Sequence, residues 1–138
     1  NLPNLHRIDL HGSKRLVKCP NMSRAPNLKR VEIGKCESLG YVDPSIFSLP
    51  KLDMLYLSGC TSLKSFNGNF HSQSLRELYL RNSGLNELPL SVLLIRNLRK
   101  LDSSFNFFLA YLPENFADQI MLSESRKHEC DPFSVLHK

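Results

Sequence analysis

No uninterrupted apolar run in the 138-residue sequence approaches the roughly 20 residues that cross a bilayer, so we predict no membrane association. The four cysteines lie 17, 24 and 70 residues apart without a C-x-x-C pair, which argues against a zinc finger or a thioredoxin-type redox motif. Neither the phosphate-binding pattern G-x-x-x-x-G-K-[ST] nor the nucleophile pattern G-x-S-x-G is present. We therefore expect no enzyme activity, no cofactor and no metal site in this chain.

The sequence also lacks an initiator Met and a charged start followed by an apolar stretch, so no targeting signal can be recognised. It opens with Asn1 and is already inside a repeating pattern, which favours a piece of a longer polypeptide. A hydrophobic content of 41% is enough to build a core without disulfides. The cysteines are therefore predicted to be reduced thiols of an intracellular protein.

Leucine is the residue in excess, at 25 of the 138 positions. Runs of the form Leu-x-x-apolar-x-apolar recur, and the first leucine of each run serves as its anchor. The anchors are spaced 23, 24, 23 and 23 residues apart: Leu5, Leu28, Leu52, Leu75 and Leu98. A small residue stands eight positions after each anchor: Ser13, Cys36, Cys60, Ser83 and Asn106. This spacing matches the leucine-rich-repeat template L-x-x-L-x-L-x-x-N/C-x-L.

The template predicts an α/β fold, a curved leucine-rich-repeat solenoid of about five repeats in residues 1–116. In each unit, the alternation of apolar and polar residues predicts a short strand with two side chains facing the core. The strands are expected to stack in parallel and line a concave face. Cys36 and Cys60 each follow a strand, where a small side chain fits a buried bend and hydrogen-bonds its backbone groups.

The second half of each unit is predicted to return along the convex side as an irregular or short helical segment. Proline turns the chain there in four of the five units: Pro20, Pro44, Pro89 and Pro113. The third unit has the polar residues 67–73 instead, and we expect a flexible loop that bulges outward. After Phe116 no sixth anchor appears, so residues 117–138 are predicted to be a degenerate or disordered C-terminal tail.

Several segments are more specific than the general template. They are residues 34–39 (GKCESL), 58–63 (SGCTSL), 42–46 (VDPSI), 86–92 (NELPLSV) and 26–29 (PNLK). In these segments the chain resembles the leucine-rich-repeat region of plant intracellular disease-resistance receptors of the TIR/NB-LRR class. The resemblance covers roughly residues 1–116.

The resemblance implies a region that senses a pathogen effector, directly or through a guarded host protein, and helps to hold the receptor's own nucleotide-binding module inactive. It implies a cytoplasmic location, with the nucleus as a second one. Two alternatives stay open, namely the ectodomain of a cell-surface leucine-rich-repeat receptor and the substrate-binding repeats of a ubiquitin-ligase adaptor. Plant surface receptors carry the variant L-x-G-x-I-P, whereas the returns here read Leu88-Pro89 and Leu112-Pro113. An adaptor would need an F-box upstream.

Alternate positions of the predicted strands face solvent and form the candidate binding surface. Its residues are Arg7, Asp9, Arg30, Glu32, Met54, Tyr56, Glu77, Tyr79, Arg81, Lys100 and Asp102. Adjacent strands lie about 4.8 Å apart, so neighbouring members should touch. Tyr56 beside Tyr79, flanked by Met54 and Arg81, is the candidate hot spot, because Tyr and Arg are enriched in such centres. The alternative is that the charged residues pair across strands and the tyrosines stack for stability alone.

The net charge of +5 is unevenly placed, since residues 1–40 carry eight Lys or Arg against three Asp or Glu. No Phe, Trp or Tyr precedes Tyr41, whereas surfaces that bind single-stranded nucleic acid interleave aromatic side chains with cations. We therefore expect a protein partner and no nucleic acid. An acidic neighbouring domain would fit the basic N-terminal part.

Overall fold

The computed structural model describes residues 1–66 and 68–106 of the chain. Its strands are β1 (Arg7–Asp9), β2 (Lys18–Cys19), β3 (Arg30–Glu32), β4 (Tyr41–Val42), β5 (Met54–Tyr56), β6 (Glu77–Tyr79) and β7 (Lys100–Asp102). One parallel sheet contains five of them in the order β1-β3-β5-β6-β7, so its neighbours follow one another along the chain. β2 and β4 form a second parallel pair. The fold is thus built from parallel strands that recur with the spacing of the anchor leucines.

The five strands of the larger sheet begin two residues after each anchor, as the leucine pattern predicts. Their register pairs the same position of successive units, and the central row consists of Ile8, Val31, Leu55, Leu78 and Leu101. The last four of these side chains are fully buried, while Ile8 in the first strand is only partly buried. The apolar side of the sheet therefore faces a core that continues from unit to unit.

The small residues after the strands hold successive units together. The thiol of Cys36 donates a hydrogen bond to the carbonyl of Leu10 at 3.1 Å, and that of Cys60 donates to Ile33 at 3.0 Å. Asn106 occupies the equivalent position and donates from its amide to Leu80 at 2.7 Å. The predicted hydrogen bonding at this bend is confirmed. Its acceptor lies in the preceding unit, so the contact also sets how the units stack.

A left-handed backbone occurs at the seventh residue after every anchor. These residues are Gly12, Lys35, Gly59, Asn82 and Phe105, with φ between 51° and 82°. The turn after the strand requires this conformation in each unit, whatever the side chain. For a residue with a Cβ this conformation costs roughly 1–2 kcal/mol, and at Lys35 the N–H donates to the carbonyl of Ser58 at 2.8 Å.

The returning halves contain two 3₁₀ segments, Pro44–Ser48 and Leu90–Leu94. The first begins at a proline, and the carboxylate of Asp43 caps it by accepting from the N–H of Ser45 at 2.9 Å. Ile46 and Phe47 in the first segment and Val92 in the second are buried. The β2–β4 pair was not predicted, because two-residue strands leave no periodic pattern in a sequence.

The third return is packed inward, which corrects the expectation of a bulging loop for its described residues. Phe70 is buried and its ring centroid lies 4.6 Å from that of Phe47 and 5.4 Å from that of Phe66. The N–H groups of His71 and Ser72 both donate to the carbonyl of Phe47, at 2.9 and 2.8 Å. An aromatic cluster thus replaces the proline turn, and the polar neighbours of Phe70 concealed its role in the sequence.

The predicted return at Pro113 and the predicted tail at residues 117–138 lie outside the described residues. Within residues 1–66 and 68–106, no helix has the length and apolar character needed to cross a membrane.

Candidate protein-interaction surface

The solvent side of the larger sheet, which we call the strand face, presents two rows of side chains. One row consists of Arg7, Arg30, Met54, Glu77 and Lys100, and the other of Asp9, Glu32, Tyr56, Tyr79 and Asp102. Members of a row are register partners on adjacent strands, so the predicted neighbour relations are those of the structure. Ten of the eleven candidate residues therefore stand on the five strands, and Arg81 follows β6 by two residues.

The N-terminal part of the strand face is an ion-pair cluster. The guanidinium Nε of Arg7 donates to the carboxylate of Glu32 at 2.6 Å, and Arg30 approaches the same carboxylate at 3.6 Å. Arg7 also lies 3.5 Å from Asp9. The hydrogen bond to Glu32, with its negative charge, raises the pKa of Arg7 above its usual value. Both arginines are largely exposed, so water and salt screen these pairs and they add little to stability.

The middle of the strand face is aromatic. The rings of Tyr56 and Tyr79 are 5.2 Å apart with an interplanar angle of 41°, and His11 lies 6.4 Å from Tyr56. The hydroxyl of Tyr79 donates to the carboxylate of Glu77 at 2.5 Å, which fixes that ring. Both tyrosines are partly exposed. A pair of rigid, amphipathic side chains on an open face offers contact area at a low entropic cost.

Gly34 makes room for this aromatic row. A Cβ at this position would lie 2.5 Å from Cε1 of Tyr56 and 2.8 Å from Nδ1 of His11. Because Gly34 separates the two rings along the sheet, any larger residue would displace one of them. The sequence identified Tyr56 and Tyr79, but the need for glycine at position 34 follows only from the structure.

Met54 is a correction to the predicted surface, because only 5% of the residue is exposed. Its register partners are Arg30 on one side and Glu77 on the other. Met54 stands between these two charged residues in its row and offers little surface of its own.

Arg81 lies at the end of the aromatic row and is placed by the turns that follow β6 and β7. The strand ladder continues past β6, since the carbonyl of Arg81 accepts from the N–H of Gly59 at 2.8 Å. Its guanidinium carbon stands 4.4 Å from the ring centroid of Phe105, a cation–π contact. Phe105 is 41% exposed and has the left-handed backbone described above. Phe105 was not among the surface residues predicted from the sequence, although it stands at a fixed position of its unit, seven residues after the anchor.

The C-terminal border of the strand face is polar. One carboxylate oxygen of Asp102 accepts from both the N–H and the hydroxyl of Ser104, at 3.2 and 2.6 Å. Lys100 is the register partner of Glu77 in the neighbouring strand. Arg76, which sequence reasoning did not single out, lies 3.6 Å from Asp53 just before the strands. These groups surround the tyrosines with charges of both signs.

Within the described part of the chain, no three His, Cys, Asp or Glu side chains converge as metal ligands would. Cys19, Cys36 and Cys60 are free and buried. A shallow strand face with an aromatic centre and a charged border has the anatomy of a protein-interaction surface.

No protein-family model matches the chain. Individual proteins do match it, and all of those named here are plant resistance proteins. The TMV resistance protein N of Nicotiana glutinosa is 41% identical over 64% of this chain. Two disease resistance proteins of Arabidopsis thaliana, RML1B and RML1A, are 38% and 30% identical over 99% and 75% of it. The chain belongs to the leucine-rich-repeat region of plant TIR/NB-LRR disease-resistance receptors.

The chain spans 8% of the length of protein N, 16% of RML1B and 12% of RML1A. It therefore corresponds to a small part of a receptor of this class. The structural features of that part are its parallel strands and the turns after them, which contain Cys36 and Cys60.

Proposed function

We propose that residues 1–116 are five leucine-rich repeats of a solenoid and that residues 117–138 are a tail distinct from it. The proposal is supported by the 23- and 24-residue anchor spacing and by the left-handed residue at the same position of all five units. Each of Cys36, Cys60 and Asn106 donates a hydrogen bond to the preceding unit. These units therefore contact their nearest neighbours along the chain, as the units of repeat proteins do.

The strand face of these repeats binds a protein, either a pathogen effector or a guarded host protein, and the repeats also restrain the receptor's own nucleotide-binding module. The observation that carries this proposal is the Tyr56–Tyr79 pair on an open strand face in a chain related to disease-resistance proteins. The receptor acts in the cytoplasm or the nucleus, and this region requires no cofactor, membrane or nucleic acid.

The free, buried thiols of Cys19, Cys36 and Cys60, in the described part of the chain, favour an intracellular receptor over a cell-surface ectodomain. Cys36 and Cys60 use their thiol protons to bond backbone carbonyls, which a disulfide would forbid. Disulfides form readily in secreted proteins and rarely in the cytosol. A reducing compartment is therefore the environment in which this packing persists.

Co-expression tests both halves of the proposal. The chain is expressed in leaf tissue with the nucleotide-binding portion of the same receptor, and association is measured by co-immunoprecipitation while cell death is scored. We expect association and reduced cell-death signalling. Absence of association, together with unchanged signalling when the repeats are deleted from the full receptor, would contradict the proposed function.

A further inference from the structure

We propose that Arg81, stacked on Phe105 beside the Tyr56–Tyr79 pair, receives the carboxylate of an aspartate or glutamate side chain of the partner protein, while an apolar residue of the same partner segment packs on the tyrosines. This proposal rests on the proposed function and names the chemistry of the partner at one site of the strand face.

Arg81 is a cation for which the described part of the chain supplies a ring contact but no counter-ion. Among residues 1–66 and 68–106, no Asp or Glu lies within 4 Å of its guanidinium, whereas Arg7, Arg30 and Arg76 each have a carboxylate that close. Its guanidinium carbon lies 4.4 Å from the ring centroid of Phe105, and Arg81 as a residue is exposed. An exposed guanidinium can bind a carboxylate through two parallel hydrogen bonds.

The tyrosine pair lies on the same side of the strand as Arg81. Residues two positions apart in an extended strand share a face, and the ladder bonds at Gly59 and Asn82 show that the chain is still extended through Arg81. The separation of such residues along a strand is roughly 7 Å, close enough for one short segment to contact both. Within the described residues the hydroxyl of Tyr56 makes no hydrogen bond, unlike that of Tyr79, so it is a further donor for the same segment.

The charges around the site suit a single carboxylate and disfavour a polyanion. Two carboxylates lie beside Tyr79: Glu77 on the same strand accepts from its hydroxyl, and Asp102 is its register partner on β7. A phosphate backbone crossing this surface would place successive negative charges against these two carboxylates. A mostly neutral peptide with one acidic residue would place only its carboxylate on Arg81.

Long-range charge favours the same class of partner. Residues 1–106 contain fifteen Lys or Arg and eight Asp or Glu, a net charge of +7, whereas residues 107–138 contain three and five. The positive field of the repeats increases the association rate of an acidic protein. Arg81 then supplies the specific contact at the aromatic centre of the strand face.

A displayed library of random 12-residue peptides, selected on the immobilised 138-residue chain, tests the site. We expect the enriched peptides to share an Asp or Glu next to an aromatic or aliphatic residue. A synthetic copy of such a peptide should bind the Arg81→Gln variant at least tenfold more weakly, as expected for the loss of a charge-assisted pair. Changing the acidic residue of the peptide to its amide should weaken binding to the wild-type chain equally and have little effect on Arg81→Gln.

Arg24→Gln is the matched control, because it removes one exposed positive charge outside the strands. It should leave the affinity of the peptide within about twofold of the wild-type value. A selection without binders, enriched peptides without a shared carboxylate, or equal effects of the two variants would overturn the proposal. Tighter Arg81-dependent binding of a 12-nucleotide oligothymidylate than of any selected peptide would overturn it as well, in favour of a nucleic-acid site.

The full-length receptor separates this proposal from the proposed function. If Arg81→Gln behaves like wild type in the cell-death assay while simultaneous replacement of Tyr56 and Tyr79 by Ser changes the response, the carboxylate site is wrong and the proposed function stands. If neither variant changes the response at equal protein levels, both are contradicted.

Discussion

Gly84 tests the stacking of the third and fourth units, because a side chain at this position has no space. Its N–H donates to the carbonyl of Cys60 at 3.1 Å, so it lies against the preceding unit. A Cβ built on Gly84 would overlap the backbone carbonyl of Thr61 and would stand 3.1 Å from that of Leu63. Both obstacles are main-chain atoms of a turn that is itself hydrogen-bonded, so they cannot move aside as a flexible side chain could.

The expected cost of Gly84→Ala is about 2–4 kcal/mol. Forcing a methyl group into a filled space costs typically 1–3 kcal/mol, and weakening the bond to Cys60 adds about 1 kcal/mol. Gly40 is the matched control, because its N–H also donates to the preceding unit, at 2.8 Å to Val17. A Cβ there meets only the carbonyl of Ser62, at 3.8 Å. Gly40→Ala should therefore be neutral or stabilise by up to about 1 kcal/mol through the unfolded state.

Urea unfolding of the 138-residue chain, followed by circular dichroism, measures both variants. With a slope of about 1–2 kcal/mol/M for a protein of this size, the two midpoints should differ by more than roughly 1 M. Equal midpoints for Gly84→Ala and Gly40→Ala would refute the packing between the units. A changed slope of the unfolding free energy against urea concentration, with no change in midpoint, would indicate an effect on the unfolded state and would also refute this packing.

Three further predictions concern the turns and the buried thiols, and the same unfolding measurement checks each. Asn106→Ala should cost about 2–3 kcal/mol, because its buried amide donates to the carbonyls of Leu80, Ser103 and Ser104 and Ser83 compensates only at Leu80; a cost below about 0.5 kcal/mol would contradict this. Lys35→Gly relieves a left-handed backbone and should stabilise the chain by about 0.5 kcal/mol. Lys51 does not have this conformation, so Lys51→Gly should destabilise the chain by a similar amount. Equal effects of the two substitutions would show that no strain exists at position 35. Burial raises the pKa of Cys19 to about 12 and that of Cys60 to about 11, from 9.0. Because the unfolded chain releases these protons first, the free energy of unfolding should fall as the pH rises from 9 towards 11–12, and these thiols should not change it below pH 9. A Cys19→Ala/Cys60→Ala variant with the same pH profile would refute the shifts.

The strands and their register could be predicted because the same apolar positions recur in each unit. A shift of one residue in any strand would turn Val31, Leu55 or Leu78 to solvent, so the hydrophobic pattern itself specifies the pairing. Cys36 and Cys60 could also be placed, since a small residue at a fixed distance from the anchor marks the bend. The neighbour relations of the strand face follow from this register.

Features that depend on neighbours in space could not be predicted. Met54 is buried on the solvent side of the sheet between Arg30 and Glu77, two register partners that lie 24 and 23 residues away in the chain. The stack of Arg81 on Phe105 depends on a left-handed turn that glycine, lysine, asparagine and phenylalanine all adopt here, so composition does not reveal it. The same holds for Phe70, whose polar neighbours indicate a loop while its ring joins the core.

The most direct test of recognition through the strand face is a comparison of two double substitutions in the full-length receptor. Tyr56→Ser/Tyr79→Ser alters the aromatic centre, and Leu90→Ser/Leu94→Ser replaces two exposed leucines on a returning segment. Cell death in leaf tissue is scored at matched protein levels. We predict that the tyrosine variant changes the response and that the leucine variant does not. A wild-type response from the tyrosine variant, or the same change from both, would contradict the assignment of recognition to the strand face.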